Sequence, residues 1–329
     1  MTTVASTGSA RPCDVLTFGE TLALLRPTTI GALRHAHQLQ LLVGGSESNV
    51  AIGVTRLGLR SRWVGRVGDD ELGERVLREI RAEGVSVRGV VDPTAPTALM
   101  IKEQRSADQV RVSYYRRGSA GSRLEPDDLP EDWVAESTVL HVTGITPALS
   151  PSARRTVHHA VDVARASGTL VSLDLNYRQA LWSEEEFGTV LRDLVPAVDV
   201  VFGSPHEVTH LVGACGGSAE RQLEALAELG PGQAVLKLGA RGALALVDGR
   251  LHQQDAIPVT VADPVGAGDA FVAGWLAELV ARPDDVAARL ATAAACGALA
   301  CTVPGDWEGA PSRREVQALS GPAGDDVHR

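Results

Sequence analysis

The most constraining feature of this sequence is an alternation of two periodicities. "TVLHVTG" (138–144) is a short apolar run of strand character. "SARRTVHHAVDVARASG" (152–168) has helical periodicity and stops at a glycine. "TLVSLDLN" (169–176) is strand-like again. Strand, helix and strand in succession imply a largely parallel sheet covered by helices.

The rest of the chain repeats the pattern. "DVLTFGE" (14–20) reads as a first strand, "SNVAIGVTRLG" (48–58) as a helix, and "SRWVGRVGDD" (61–70) as a strand and turn. "ELGERVLREIRAEG" (71–84) is an amphipathic helix with a glycine stop. "DVVFGS" (199–204), "QAVLKLG" (233–239) and "GALALVDG" (242–249) are strands, and "ERQLEALAELG" (220–230) is a helix. "DAFVAGWLAELVAR" (269–282) and "DVAARLATAAACGALAC" (285–301) are apolar helices. The predicted fold is α/β, with a mostly parallel central sheet between helical layers.

Two segments do not fit that layer. "TALMIKEQ" (97–104) and "QVRVSYYRR" (109–117) alternate apolar and polar residues across a polar turn, the pattern of a hairpin with one wet face. They predict a small β lid over one edge of the site, with strands from about 20–45 and 95–118. No linker or internal repeat divides the chain, so one domain is expected over 14–319. The tails, 1–13 and 320–329, are expected to be disordered.

Composition narrows the function classes. Aromatic residues make up 4% of the chain, so the core must be built mostly from Val, Leu and Ala. The net charge is −10, with no long Lys/Arg run. That disfavours nucleic acid and anionic membrane as partners. Apolar runs end well short of the ~20 residues of a membrane span, and "MTTVASTGSARPCD" lacks the layout of a signal peptide. Cys13, Cys215, Cys296 and Cys301 form no C-x-x-C pair. Reduced thiols in a cytoplasmic protein are expected, without structural zinc.

The chemistry concentrates in "DPVGAGDAF" (263–271). Gly266, Ala267 and Gly268 form a side-chain-poor turn feeding a helix. Backbone N–H groups there can approach an anion, and the helix N-terminus adds its positive end. Asp269 would repel a resting phosphate, but it suits the role of base toward an attacking hydroxyl. Together the parts suggest phosphoryl transfer to an alcohol. Taken alone, a G-x-G-D run is more simply a tight turn with a helix cap. A P-loop is absent, and no convincing G-x-G-x-x-G joins a first strand to a helix.

A second motif changes that balance. "VGGSESNVAIGVTRLG" (43–58) together with "DPVGAGDAF" resembles the two signature regions of the ribokinase-like (PfkB) carbohydrate kinases. "GRVGDDELG" (65–73) and "KLGARGA" (237–243) also match, and the resemblance runs from about Asp14 to Pro311. Within the family the chain is most similar to the 2-keto-3-deoxygluconate kinases, through "YYRRGSAGS" (114–122), "GITPALSP" (144–151), "LDLNYRQALWS" (173–183) and "VPGDWEGAP" (303–311).

The resemblance implies a ribokinase-like fold, ATP and Mg²⁺ as cofactors, a small sugar or keto-sugar acid as acceptor, and a homodimer or higher homo-oligomer. Asp269 would be the base, with Gly266, Ala267 and Gly268 as the anion hole. Gly45 and Asn49 would contact the sugar. Tyr114, Arg116 and Arg178 would surround the acidic end of the substrate, and Asp306 would meet a sugar hydroxyl. Ser204, Lys237, Gly239 and Gly242 would line the nucleotide pocket, and Glu207 would help hold Mg²⁺ through water. A carboxylate substrate independently calls for guanidinium groups. Tyr114 and Arg116 share a strand face by alternation, with Arg117 opposite. Asp174 and Asn176 alternate with apolar residues and are open to a structural reading, as Lys237 is to that of a strand end. His158 and His159 read as helix surface or boundary.

Three positions depart from the family pattern. Pro264 stands where a Thr is usual and lacks an N–H. Met100 stands where the keto-acid kinases carry a Tyr. Ala294 stands where an Asn would flank the adenine. Two other readings stay open: a fructokinase or other kinase of the same scaffold, and a sugar-binding protein without catalysis.

Overall fold

The first strand shows why the layers form. In "CDVLTF", Leu16 and Phe18 point to one face and Val15 and Thr17 to the other, since successive side chains alternate. All four are fully buried. A strand buried on both faces must be sandwiched by helices. The computed structural model describes residues 11–106, 109–213 and 217–320. Cys215, the tail residues 1–10 and the residues 321–329 lie outside that set.

The strands are β1 (Cys13–Phe18), β2 (Leu22–Pro27), β3 (Leu39–Gly44), β4 (Ser61–Gly68), β5 (Ser86–Asp92), β6 (Leu99–Ser106) and β7 (Gln109–Tyr115). They continue with β8 (Ser137–Thr143), β9 (Leu170–Asp174), β10 (Val200–Gly203), β11 (Gln233–Lys237), β12 (Ala243–Val247) and β13 (Arg250–Gln254). The helices are α1 (Ser46–Arg56), α2 (Glu71–Ala82), α3 (Glu131–Ala135), α4 (Thr146–Leu149), α5 (Pro151–Ser167) and α6 (Glu184–Leu194). They end with α7 (Pro205–Val212), α8 (Ala219–Ala227), α9 (Ala267–Ala281), α10 (Val286–Ala300) and α11 (Arg313–Ser320).

The large sheet runs β13-β12-β11-β10-β9-β8-β1-β4-β5. From β11 to β5 its neighbours pair parallel, and the β11–β12 and β12–β13 pairs are antiparallel. One face packs Leu16, Phe18, Leu140 and Leu173 against α5, α6 and α8. The other packs Val15, Val139 and Val235 against α1, α9 and α10. This is the α/β architecture the alternation predicts. The order turns at β1, whose neighbours are β8 and β4, and such a switch point opens a crevice beyond the strands' carboxyl ends.

The second sheet runs β3-β2-β6-β7. Leu22, Leu24, Ala98 and Met100 form its buried face. Register sets Met100 opposite Tyr114 and Lys102 opposite Val112.

The boundaries and several elements differ from the sequence expectations. β9 stops at Asp174, so Asn176 lies beyond the strand, with a left-handed φ of 42°. β7 stops at Tyr115, just before Arg116. α11 continues to Ser320. Strands β5 and β13 and helices α6 and α7 carry no expectation above. Edge strands such as β5 and β13 are wet on one side and lose the apolar contrast that periodicity detects.

Candidate active site

Chain segments that end at the same edge of the large sheet bring their polar residues together there. Glu20 follows β1, Asp174 ends β9, Ser204 follows β10, and Lys237 ends β11. All of them line one cavity of about 590 Å³. The lid contributes Leu22, Met100, Lys102, Val112 and Tyr114, and α1 contributes Ser46, Glu47 and Asn49.

Of the residues singled out from sequence, Asp269, Gly266, Gly268, Gly45, Asn49, Tyr114, Arg116, Arg178, Asp306, Ser204, Lys237, Gly239 and Glu207 line this cavity. Ala267 and Gly242 do not. Gly242 instead permits a close approach at the sheet edge, because a Cβ there would stand 2.0 Å from the Gln254 carbonyl oxygen. Ala294 is buried in α10 and does not line the cavity.

The carboxylate of Asp269 sits in the first turn of α9. Ser46 Oγ donates to its Oδ1 at 2.6 Å, and Asn49 Nδ2 to its Oδ2 at 2.8 Å. Asn176 donates in turn to Ser46 at 2.8 Å. Each carboxylate oxygen has a second lone pair, so the group can still accept a proton. Burial pushes its pKa above the usual carboxylate range, while Ser46 and Asn49 hold it back.

Asn49 also reaches Asp306 Oδ2, at 3.2 Å. Burial first, then the neighbouring Asp269 charge, pushes the Asp306 carboxyl up to about 6. Its approach depends on Gly44, where a Cβ would stand 2.1 Å from Asp306 Oδ2. Gly266 caps α9 in the left-handed conformation, at φ 79°. At such a helix start the first N–H groups have no intrahelical acceptor. A methyl at Gly268 would stand 3.5 Å from Lys237 Nζ, so an ammonium faces the turn.

Four cations line the cavity, and three have carboxylate partners. Lys237 contacts both oxygens of Asp174, at 2.6 and 2.8 Å. Burial opposes the Lys237 charge, but Asp174 and Glu207 outweigh it and hold the ammonium protonated. Arg116 donates to Glu20 through Nε at 2.7 Å and Nη2 at 2.6 Å, and lies 5.3 Å from the centre of the Tyr114 ring. Lys102 pairs with Asp263. Arg178 bonds only the carbonyl of Tyr177, at 3.1 Å, and has no carboxylate partner among the described residues. Arg117 is exposed.

Glu207 is committed to local structure. Its Oε2 accepts from Ser204 N at 2.7 Å and its Oε1 from Tyr177 N at 2.9 Å, a capping box at the start of α7. Lys237 and Asp174 pair with each other in the cavity wall. His159 meets Glu131 at 3.1 Å on the surface.

Sequence reasoning passed over Glu20, Ser46, Glu47 and Lys102. Ser46 and Glu47 sit inside the first signature. Glu20 follows the first strand at its carboxyl end, where such sheets bind ligands. Glu47 is 1% exposed, with Thr143 and Thr146 both donating to its Oε1 at 2.6 Å.

Among solved structures, a putative ribokinase II from E. coli in complex with ATP and Mg²⁺ has the same architecture. Its TM-score is 0.87 at 26% identity, covering 94% of this chain and 99% of that one. The fold is that of the ribokinase-like kinases. The profile of the pfkB family carbohydrate kinases matches residues 13–313, and the chain belongs to that family. It is similar to the 2-dehydro-3-deoxygluconokinase of Thermoproteus tenax, 38% identical over 93% of this chain and 94% of that one. It is also similar to the 2-dehydro-3-deoxygalactonokinase of Haloferax volcanii, 33% identical over 89% and 92%. It is a sugar phosphotransferase.

Proposed function

We propose that this kinase transfers the γ-phosphoryl group of ATP to the primary hydroxyl of a 2-keto-3-deoxy sugar acid, with 2-keto-3-deoxygluconate as the favoured acceptor. The observation that carries the reading is Arg178, the cavity cation with no carboxylate partner among the described residues. A half-buried guanidinium with no carboxylate hydrogen-bonded to it among the described residues suits an acceptor that brings one. Arg116 and Tyr114 border the same space, and Arg116 keeps one edge beyond its Glu20 contacts. The names of the T. tenax and H. volcanii relatives agree with a keto-sugar acid.

In this reading Asp269 accepts the hydroxyl proton. Ser46 and Asn49 hold its carboxylate in place, and Asn49 and Asp306 orient the sugar hydroxyls. The opening of α9 at Gly266, Ala267 and Gly268 receives the negative charge that builds on the phosphoryl oxygens. The lid residues Met100 and Tyr114 cover the acceptor and exclude water.

The residues also fit a nucleotide polyphosphate. A left-handed glycine opens α9 and the Lys237 ammonium faces the turn, with Ser204 and Gly239 in the same cavity wall. Gly242 would act from behind that wall. Mg²⁺ would neutralise the phosphate oxygens. Among the described residues no group of three or more His, Cys, Asp or Glu forms a cage. That suits an ion carried mainly by phosphates and water, with Glu207 reaching it through water.

The functional unit proposed is one kinase domain over 14–319, acting in the cytoplasm as a homodimer or larger homo-oligomer. The exposed Leu39 and Tyr115 of the lid support self-association. A gel-filtration mass equal to the monomer would refute it.

The test is ADP formation with MgATP against 2-keto-3-deoxygluconate, its galactonate epimer, fructose and ribose. A keto-acid should win, and Arg178→Ala should raise its KM without affecting turnover of neutral sugars. If fructose wins and Arg178→Ala is neutral, the acceptor reading fails and the fructokinase reading replaces it. A protein that binds sugar, turns over none and is unaffected by Asp269→Asn would be a binding protein.

A further inference from the structure

Lys102 has no part in the scheme above, yet it lies in the cavity wall and is 3% exposed. It sits on β6, in the lid. Its ammonium pairs with Asp263, also 3% exposed, and donates to the Gly305 carbonyl at 2.8 Å. Asp263 is the first residue of the turn that carries the anion hole. Its Oδ1 accepts from Val265 N at 3.2 Å, inside that turn, and its Oδ2 from Gly305 N at 3.1 Å. Gly305 immediately precedes Asp306.

One carboxylate therefore joins three segments that are remote in sequence. They are the lid strand, the 263–266 turn leading to Asp269, and the 305–306 loop. The last two already touch: a Cβ on Gly266 would stand 1.8 Å from the Asp306 carbonyl oxygen. Their separation is therefore tightly set. A buried carboxylate without a counter-charge is unfavourable and would draw in water or rearrange. The cation that prevents this is delivered by the lid and by no residue of the turn itself.

We infer that Lys102 is a positioning residue for phosphoryl transfer: its ammonium locks Asp263, so that seating of the lid and formation of the anion hole are one event. This rests on the phosphoryl-transfer reading above. Lys102 acts through Asp263 on the turn and on Asp306, and does not need to touch the acceptor. Its loss should act on the chemical step more than on acceptor affinity. Displacing such a turn by about 1 Å is enough to lower the rate about 100-fold.

The test compares wild type with Lys102→Met, which keeps the apolar stem, and Lys102→Ala. Steady-state kinetics with MgATP and the best acceptor should show kcat lower by about 100-fold, with KM for the acceptor changed less than threefold. Propylammonium should restore part of the Lys102→Ala rate, and tetramethylammonium, which cannot donate a hydrogen bond, should not. Hydrogen exchange of peptides covering 262–268 and 302–308 should be faster in both variants, and this arm needs no substrate. If the Lys102 variants do not fold, Asp263→Asn reads the same junction from its other side and should show the same kcat loss. Unchanged exchange in the two segments would overturn the inference. So would a rise in KM at constant kcat, or a fully active Asp263→Asn. Failure of the wild type to phosphorylate any sugar would sink the functional reading, while the exchange result would still decide the role of Lys102.

Discussion

Gly266→Ala offers a sharp test of the anion-hole geometry. Two separate obstacles meet at this position. The backbone is left-handed, at φ 79°, which costs a residue with a Cβ about 1–2 kcal/mol. The new methyl would also stand 1.8 Å from the Asp306 carbonyl oxygen, where real contacts do not fall below 3.0 Å. The two backbones must therefore part by at least 1.2 Å, the gap between those distances. Since the obstacle is a carbonyl and not a side chain, no rotamer change relieves it. Loss of one anion-hole donor typically lowers kcat by about 10²–10³-fold, or about 2.7–4 kcal/mol of transition-state stabilisation. The expected result is a kcat loss in that range, with a melting temperature lower by a few degrees. Gly268→Ala is the control. Its backbone is not left-handed, and its nearest new neighbour is Lys237 Nζ at 3.5 Å, an ordinary contact. It should fold with wild-type stability. Turnover assays and thermal melts on both variants decide the matter. A Gly266→Ala enzyme within threefold of wild-type kcat would refute the assignment of this turn to charge stabilisation.

Asp269→Asn should lower kcat by at least about 100-fold, as loss of a general base does, with the melting curve unchanged. Because burial raises the Asp269 pKa, kcat/KM should fall as pH drops through a value above the usual carboxylate range. Ser46→Ala removes a hydrogen bond that favours the ionised form, so this acid limb should move to higher pH; a limb that stays put would exclude Asp269 as the titrating base. Asp306 has a folded pKa raised to about 6 from 3.8. Its contribution to stability is thus complete below pH 4 and is lost as pH rises through 6. A shift of that size corresponds to about 3 kcal/mol at 1.36 kcal/mol per unit. Asp306→Asn should flatten the decline in stability between pH 4 and pH 7, measured by denaturant titration, and an unchanged slope would contradict the raised value.

The layers of the fold were legible in the sequence because they rest on local periodicity. Val15, Leu16, Thr17 and Phe18 alternate within one strand, and "SARRTVHHAVDVARASG" declares its own period and its own stop. The glycine turn was legible for the same reason, since Gly266, Gly268 and Asp269 lie within four residues of the chain. Helix α6 was also marked, by Ser183, whose side-chain oxygen accepts from Glu186 N as a cap, although its short apolar stripe did not stand out.

What the sequence alone could not decide is which charges meet. Ser46 and Asp269 are 223 residues apart, and Lys102 and Asp263 are 161 apart. Arg116 and Arg178 look equivalent as isolated guanidiniums. Folding gives Glu20 to the first and, among the described residues, no paired carboxylate to the second. An ion pair depends on distance and burial in three dimensions, and neither quantity has a period along the chain. Hydrophobic pattern therefore set the scaffold. Only the closure of the lid and the meeting of strand ends determined which side chains face the cavity and which of them keep a charge available for a ligand.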